Sequence, residues 1–507
     1  MLWIALHLPL LSLESFAATL PGASLDAPLA LMDAHTIVSA NSAARALGVK
    51  PGIQRATALA LAPQLTLGRA DPARDAQALT AVAHAALAYT PTVLIQPPSG
   101  AAAVGTTSHT VLLEVHASLR YFGGLPPLLK RLQATLAPLG HRLHTVSAST
   151  ALGAALLACV HPRLHCADLA ATRTALDAAP VWLLGPGREH WEALQGMGLR
   201  TLADLRRMPR DGLARRFGEV VLSEFDRAMG TRPDPREPLV LPEVFASRLE
   251  LFARADTTEP LLHGAAVLLA RLVAWLAAQH AFVRRFTLVM EHEKYARRDA
   301  PTDALTTLEI ALAEPSRESA HLLALLRERL ARLQLPAPTL ELRLHAEDIA
   351  RRAPPNAELF PTTASEHEGL TRLIERLQAR LGPGQLLRLA PVQDHRPERA
   401  SAWREADARM ARVRSAGVDI SASTAVRPVW LLAQPEPLRE GESGPLLERQ
   451  PLHLLSGPER IESGWWDAGL AERDYFIAQL PGGALVWVYR ARLPVEGAGW
   501  FLQGRFG

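Results

Sequence analysis

The chain has 507 residues and a mass of 55.0 kDa, long enough for several domains at roughly 100–200 residues each. It is 48% hydrophobic and 21% charged, with a mean hydropathy of +0.05, which excludes a mainly disordered or collagen-like chain. Basic residues outnumber acidic ones by only 54 to 51, so charge alone names no nucleic-acid partner, and two cysteines, Cys159 and Cys166, exclude a disulfide scaffold or a four-cysteine zinc site.

Residues 1–13 are an apolar run with no Lys or Arg, interrupted by His7 and Pro9. They read as a buried strand and not as a signal peptide. Residues 43–50 predict a helix stopped by Gly48, and 75–88 a second helix. Strands at 111–115 and 144–149 alternate with helices at 126–136 and 152–159, so the first 170 or so residues form an α/β or α+β unit. Cys159 falls on an apolar helix and reads as core. Cys166 has His161 and His165 nearby but no further zinc ligands. The long charge-free stretch 76–113 is broken by prolines and polar side chains, so it does not qualify as a membrane span. The chain reads as soluble and cytoplasmic, with no membrane partner.

Residues 180–236 change to short helices punctuated by glycine, and nine arginines face six acids between Arg200 and Arg236. Pro233, Pro235, Pro238 and Pro242 mark a linker. Residues 246–347 then give strand, long helix, two strands, helix and strand, the split β-α-β-β-α-β order of a ferredoxin-like domain. Six of the ten tryptophans lie beyond residue 351, which marks the remainder as a folded module. Trp465, Trp466, Trp487 and Trp500 serve there either as its core or as a partner surface.

This order is similar to that of the translesion, or Y-family, DNA polymerases: palm, small fingers, helix-hairpin-helix thumb and ferredoxin-like little finger. Ala44-Arg45-Ala46-Leu47-Gly48-Val49-Lys50-Pro51-Gly52 resembles the fingers motif, in which an arginine and a tyrosine hold the incoming triphosphate. Leu112-Leu113-Glu114-Val115 with Tyr121-Phe122-Gly123 resembles the palm strand and the turn beyond it. Gly185-Pro186-Gly187 with Leu202-Ala203-Asp204-Leu205 resembles the thumb. The resemblance implies an α+β multidomain chain with palm-like 1–25 and 75–178, fingers-like 26–74, thumb-like 179–240 and little-finger-like 246–347 parts. A clamp-motif linker and C-terminal interaction module would follow over 351–507.

Nucleotidyl transfer in this family uses two magnesium ions held by clustered carboxylates. With Glu14 matched to the family's glutamate, the aspartate positions of the first strand fall on Ala5 and His7. The Asp-Glu pair of the later strand falls on His109 and Thr110. No Asp or Glu occurs in 1–13 or 76–113, so sliding the register supplies none. The fingers tyrosine position reads Ser42 and the triphosphate-binding lysine position reads Leu152, leaving Arg45 as a triphosphate-binding remnant. The implied chain is no enzyme and takes neither metal nor cofactor, and His7 and His109 read as fillers of the disarmed site.

The disarmed site narrows the resemblance to the inactive, polymerase-like branch found in bacterial mutagenesis cassettes. Residues 366–381 carry it further, as do His395-Arg396-Pro397-Glu398-Arg399-Ala400 and Arg427-Pro428-Val429-Trp430-Leu431-Leu432. So do residues 457–466 and Arg473-Asp474-Tyr475. That branch implies a scaffold in SOS-induced, error-prone translesion synthesis and DNA repair. Its partners would be DNA (a primed or damaged template), the beta sliding clamp, a RecA-like accessory protein and a DnaE-like error-prone polymerase, and it would be cytoplasmic and at the nucleoid when bound to DNA. DNA contact falls on Gly185, Gly187 and Arg188, whose hairpin would turn backbone N–H groups toward a phosphate, and on Arg206, Arg207, Arg215 and Arg216. Asn356-Ala357-Glu358-Leu359-Phe360 resembles the clamp-binding pentapeptide, its Leu-Phe pair seated in an apolar groove. The alternatives are a divergent active Y-family polymerase with relocated carboxylates, and a protein hub without DNA contact.

Overall fold

Strand β1 (Trp3–His7) opens the chain. It is followed by α1 (Leu11–Ala17), β2 (Leu29–Asp33), β3 (Thr36–Ala40), α2 (Ser42–Ala46), α3 (Arg55–Leu61), β4 (Thr66–Arg69) and α4 (Pro72–Leu87). Next come β5 (Val93–Ile95), β6 (Thr110–Glu114), α5 (Leu125–Leu136), β7 (His144–Ala148), α6 (Ala151–Val160), β8 (Arg163–His165) and α7 (Leu169–Asp177). The computed structural model describes residues 1–22, 26–96, 109–185, 190–293, 305–351, 363–406, 426–442, 444–467, 469–492 and 499–506. The chain divides into two compact units, Met1–Phe360 and Pro361–Gly507.

In the first unit β1 is the centre of a five-stranded sheet ordered β5-β6-β1-β7-β8, antiparallel to both neighbours. Helices cover both faces. Ile4 and Leu6 pack with Val82 and Ala86 of α4 and Leu128 and Leu132 of α5, while Ala5 packs with Leu152 and Ala155 of α6. A strand buried on both sides favours apolar residues at successive positions, which is why β1 reads as apolar from Trp3 to Leu6 before His7. The run ends sooner than the sequence predicts, since Leu11 to Leu13 already lie in α1. A small sheet, β3-β2-β4, has β2 and β4 parallel. Asn41 ties it to α2: its side-chain oxygen accepts from the amides of Leu29 and Ala44, capping the helix.

Four short helices follow: α8 (Trp191–Gly196), α9 (Leu202–Arg207), α10 (Arg210–Phe217) and α11 (Glu219–Met229). Thr201 and Asp204 form a reciprocal capping box that starts α9. Leu194, Leu202, Leu205, Leu213, Phe217 and Phe225 join the same apolar cluster as Ala5 and α6. The linker beyond is pinned to the palm-like sheet, with the Leu239 amide donating to the Val93 carbonyl at 2.7 Å.

The little-finger-like part comprises β9 (Phe245–Ala255), α12 (Thr258–Ala278), β10 (Ala281–His292), β11 (Leu305–Ser316), α13 (Ser319–Leu330), β12 (Thr339–Ala346) and β13 (Ile349–Arg351). Its strands are ordered β11-β10-β12-β9, with β13 pairing β10. The expected β-α-β-β-α-β order is therefore present. Helix α12 is long and apolar enough to cross a membrane by composition, but it buries Leu261, Leu268, Leu272 and Trp275 within the domain. Gly264 permits this close packing, since a Cβ there would stand 2.9 Å from a Leu342 methyl. On its other side, Ala274 reaches the palm-like core. The buried Arg271 donates through Nη1 to Gln77 of α4, the Ser247 hydroxyl and the Arg248 carbonyl.

The second unit begins with α14 (Thr363–Leu381) and a hairpin of β14 (Leu387–Pro391) and β15 (Ser401–Glu405). Strands β16 (Trp430–Gly441), β17 (Gly444–Leu447), β18 (Gln450–Pro451), β19 (His453–Ser463), β20 (Ala471–Gln479), β21 (Leu485–Ala491) and β22 (Trp500–Arg505) follow. Among the described residues these form a seven-stranded sheet ordered β18-β17-β16-β22-β21-β20-β19, which the sequence did not signal beyond a folded module. Leu438, Val486, Val488, Trp500 and Leu502 make one cluster, and Ile461, Tyr475, Trp487 and Tyr489 another. Arg396 is buried in a cage of Asp394, Asp467 and the Gly469 carbonyl. Its hydrogen bonds pull the Asp394 carboxyl down to about 2. Arg473 pairs with Glu398 at 3.0 Å. The motifs at 395–400, 457–466 and 473–475 thus converge on one another inside this unit. The whole is the multidomain α+β class expected, with a β-rich module last.

Candidate functional site

The antiparallel register of the palm-like sheet sets the positions where the resemblance places metal ligands. His7 lies opposite Thr110 on β6 and His144 on β7, and Ala5 lies opposite Leu112. The structure therefore brings His7 and Thr110 together, as the sequence alignment implies. His7 Nδ1 and Thr110 Oγ1 share a buried hydrogen bond of 3.0 Å. The His109 carbonyl accepts from the Leu8 amide. Burial, then the nearby His144 and His109, lowers the His7 pKa from 6.5 to about 4, so its ring is neutral near pH 7. Burial also lowers the His109 pKa, against an opposing pull from Asp75.

The surrounding side chains complete an apolar filling. Ala5 is fully buried and shares its cluster with Leu152, Leu112 and Val146, so the position matched to a phosphate-binding lysine is a leucine packed in the core. Glu14 faces elsewhere: its carboxylate accepts from the Arg142 amide and lies 3.2 Å from His141 Nδ1. One carboxylate that the sequence windows excluded does approach. Asp75, at the start of α4, is held by the hydroxyls of Ser12 and Ser15, the latter at 2.6 Å. Only folding reveals it, because α4 carries residue 75 against α1 and toward His109. A pair of magnesium ions needs several oxygen anions, and a methyl, a neutral imidazole, a hydroxyl and one engaged carboxylate do not fit it. Among the described residues no group of three or more His, Cys, Asp or Glu side chains is placed to hold a metal.

Arg45 is exposed in the last turn of α2. Of the thumb hairpin, Gly185 is described, its amide donating to Glu224 Oε2 at 3.1 Å. Gly187 and Arg188 lie outside the described residues, as does the pentapeptide Asn356, Ala357, Glu358, Leu359 and Phe360. The remaining arginines come in two pairs: Arg206 and Arg207 on α9, Arg215 and Arg216 on α10. All four are engaged nearby. Arg206 pairs with Asp177 at 2.8 Å and Arg207 with Asp204 at 3.6 Å. Arg215 Nε donates to the Asp211 carbonyl, and the Arg216 guanidinium stands over the Phe217 ring. A pocket of about 390 Å³ gathers Arg173, Arg206, Arg210, Asp226 and Thr231. Arg173 and Arg210 escaped the sequence reading because they belong to neighbouring helices and meet Arg206 only in the fold.

The exposed little-finger sheet is less cationic than its arginines suggest. Arg343 bonds to both Glu291 and Glu341, and Arg285 pairs with Glu309 at 3.4 Å. In the second unit, Trp487 and Trp500 are core, whereas Trp465 and Trp466 are exposed and meet edge to face.

Over 91% of its length the chain is 27% identical to Protein ImuB of Caulobacter vibrioides strain NA1000 / CB15N, covering the whole of that relative. The match to Protein ImuB of strain ATCC 19089 / CIP 103742 / CB 15 has the same values. The resemblance drawn from the motifs therefore stands. No family model matches the chain. Among solved structures, DinB from Sulfolobus solfataricus aligns with 69% of this chain and 99% of its own at 16% identity and a TM-score of 0.38. A Dbh ternary complex aligns over the same shares at 15% identity and a TM-score of 0.37.

Proposed function

We propose that this ImuB-like chain is a non-catalytic, polymerase-like scaffold in SOS-induced, error-prone translesion synthesis and DNA repair. It binds primed or damaged DNA through the thumb-like arginines. It recruits the beta sliding clamp through residues 356–360, and the RecA-like accessory protein ImuA and a DnaE-like polymerase through its C-terminal module. It works in the cytoplasm, at the nucleoid when on DNA. One observation carries the non-catalytic reading: the four positions matched to metal-binding carboxylates are Ala5, His7, His109 and Thr110, and His7 and Thr110 satisfy each other in a buried hydrogen bond. Such a site has neither the negative charge nor the free oxygens that two divalent cations require.

The test is nucleotide incorporation on a primed template with protein in excess and Mg²⁺ or Mn²⁺ supplied, alongside DNA binding across a salt series. The expected outcome is salt-sensitive binding without extension. Metal-dependent extension that stays with the protein through purification, and that Asp75→Asn abolishes, would instead establish an active polymerase with a relocated carboxylate.

A further inference from the structure

The segment that opens the second unit is folded inside out. In a soluble helix the apolar stripe faces the core and the polar residues face water. Helix α14 does the reverse: it buries Thr371, Glu375 and Ala379, each four residues after the last. Leu370, Leu373 and Leu381 are 49%, 43% and 49% exposed. At about 100° per residue, Leu370, Leu373, Leu377 and Leu381 fall within an arc of roughly 80°, nearly opposite the buried Thr371–Glu375–Ala379 row. Thr371, Glu375 and Ala379 are thus the covered side of the helix; Leu370, Leu373 and Leu381 on the opposite side are exposed, with Leu377 half-buried between them.

The neighbouring hairpin repeats the inversion. Residues directly opposite in an antiparallel pair share a face, and Leu389 stands opposite Trp403. Both point outward, 59% and 66% exposed, with Leu387 beside them, whereas Ala390 on the other face is buried. Single exposed apolar residues are ordinary, but two adjacent elements turning their large apolar side chains outward mark a surface that a partner covers. Arg376 and Arg380 run along the flank of the leucine row and are exposed, with no ion pair among the described residues. Residues 361–507 as a whole balance 18 arginines against 18 acids, so the module has no net attraction for nucleic acid. A protein with local negative charge is the complementary occupant.

We propose that the leucine face of α14 docks an acidic amphipathic helix from a partner protein, its leucine-type side chains on Leu370, Leu373, Leu377 and Leu381 and its carboxylates on Arg376 and Arg380. The geometry is helix against helix. The proposal deepens the reading of the C-terminal module as the part that recruits partners, and rests on it.

Two labelled synthetic helical peptides test it on the full chain by fluorescence anisotropy. Both carry leucines at heptad spacing, one with glutamates and one with lysines on the flanks. The glutamate peptide binds, and the lysine peptide binds about tenfold or more weakly. Arg376→Glu with Arg380→Glu reverses that preference. Leu373→Glu with Leu381→Glu abolishes binding of both peptides and lowers the thermal midpoint only slightly, because those side chains are already about half exposed. Equal binding of the two peptides overturns the proposal. So does a large fall in midpoint on Leu373→Glu, which would make the leucines core. A concentration-dependent dimer in sedimentation, lost in the same variant, would assign the face to a second copy of this chain. DNA binding by every variant is measured in parallel. If it persists while peptide binding is absent, the docking face fails and the scaffold stands. If DNA binding is absent while the peptide preference holds, the scaffold reading fails on its own.

Discussion

His7 sits at the end of β1, between β6 and β7, with its ring hydrogen-bonded to Thr110. In the folded state its ring is neutral down to about pH 4, whereas in an unfolded chain it takes a proton below about 6.5. Stability from this group is therefore complete above about pH 6.5 and is lost as pH falls toward 4, because only the unfolded state gains the proton. His84, lowered to about 4 by burial alone, acts in the same direction. Each contributes a loss of about 2 kcal/mol at about pH 5, to be read from denaturant midpoints at about pH 7.5 and 5. His7→Gln flattens its share, and a wild-type midpoint independent of pH would contradict the assignment. Thr110→Val leaves the imidazole without its hydroxyl partner and lowers stability by about 1–3 kcal/mol at neutral pH.

Between elements, the decisive contacts are made by buried arginines. Arg271 joins α12 to α4 and to β9 with its ordinary pKa lowered by burial to about 10. Arg271→Ala takes the guanidinium donor from the Arg248 carbonyl and leaves Gln77 Oε1 with the Arg248 amide as its donor, destabilises by about 1–3 kcal/mol, and loosens the little-finger-like part. Faster protease cleavage in the 231–244 linker would report that loosening. Arg396→Ala removes the buried guanidinium that pairs with both Asp394 and Asp467, and the second unit should melt several degrees lower while the first is unmoved. Much of this organisation was legible in sequence. The ferredoxin-like order showed because long elements with clean periodicity carry it, and the lack of carboxylates along β1 and before β6 showed because windows 1–13 and 76–113 hold no Asp or Glu. The small β3-β2-β4 sheet did not, since its strands are four or five residues long and its parallel pair joins residues 29–32 to 66–69. The seven-stranded sheet was hidden because its inner strand β21 is buried on both faces, which blurs the two-residue alternation, while β16 and β19 are mostly exposed. Asp75 was hidden because proximity to His109 is a property of the fold and not of spacing.

For the molecule as a whole, the strength of DNA binding depends on how far the arginines of the thumb-like and little-finger-like parts are already paired. The little-finger sheet neutralises its own arginines, and Arg206 and Arg207 have acidic partners to give up. The dependence of log K on log salt should accordingly have a slope of about −2 to −4, each phosphate contact adding about −0.9. Arg206→Glu with Arg207→Glu should reduce it by about 1–2. A slope near −8 would mean that the little-finger sheet grips phosphate after all. The packed centre of the palm-like sheet has a further, historical consequence. Ala5 packs in one cluster with Leu152, and His7 hydrogen-bonds Thr110, so a single carboxylate placed there would be a buried charge with no cation to share it, at a cost of several kcal/mol. Metal chemistry built there one substitution at a time has to cross that barrier, which makes the centre of the sheet an evolutionary ratchet.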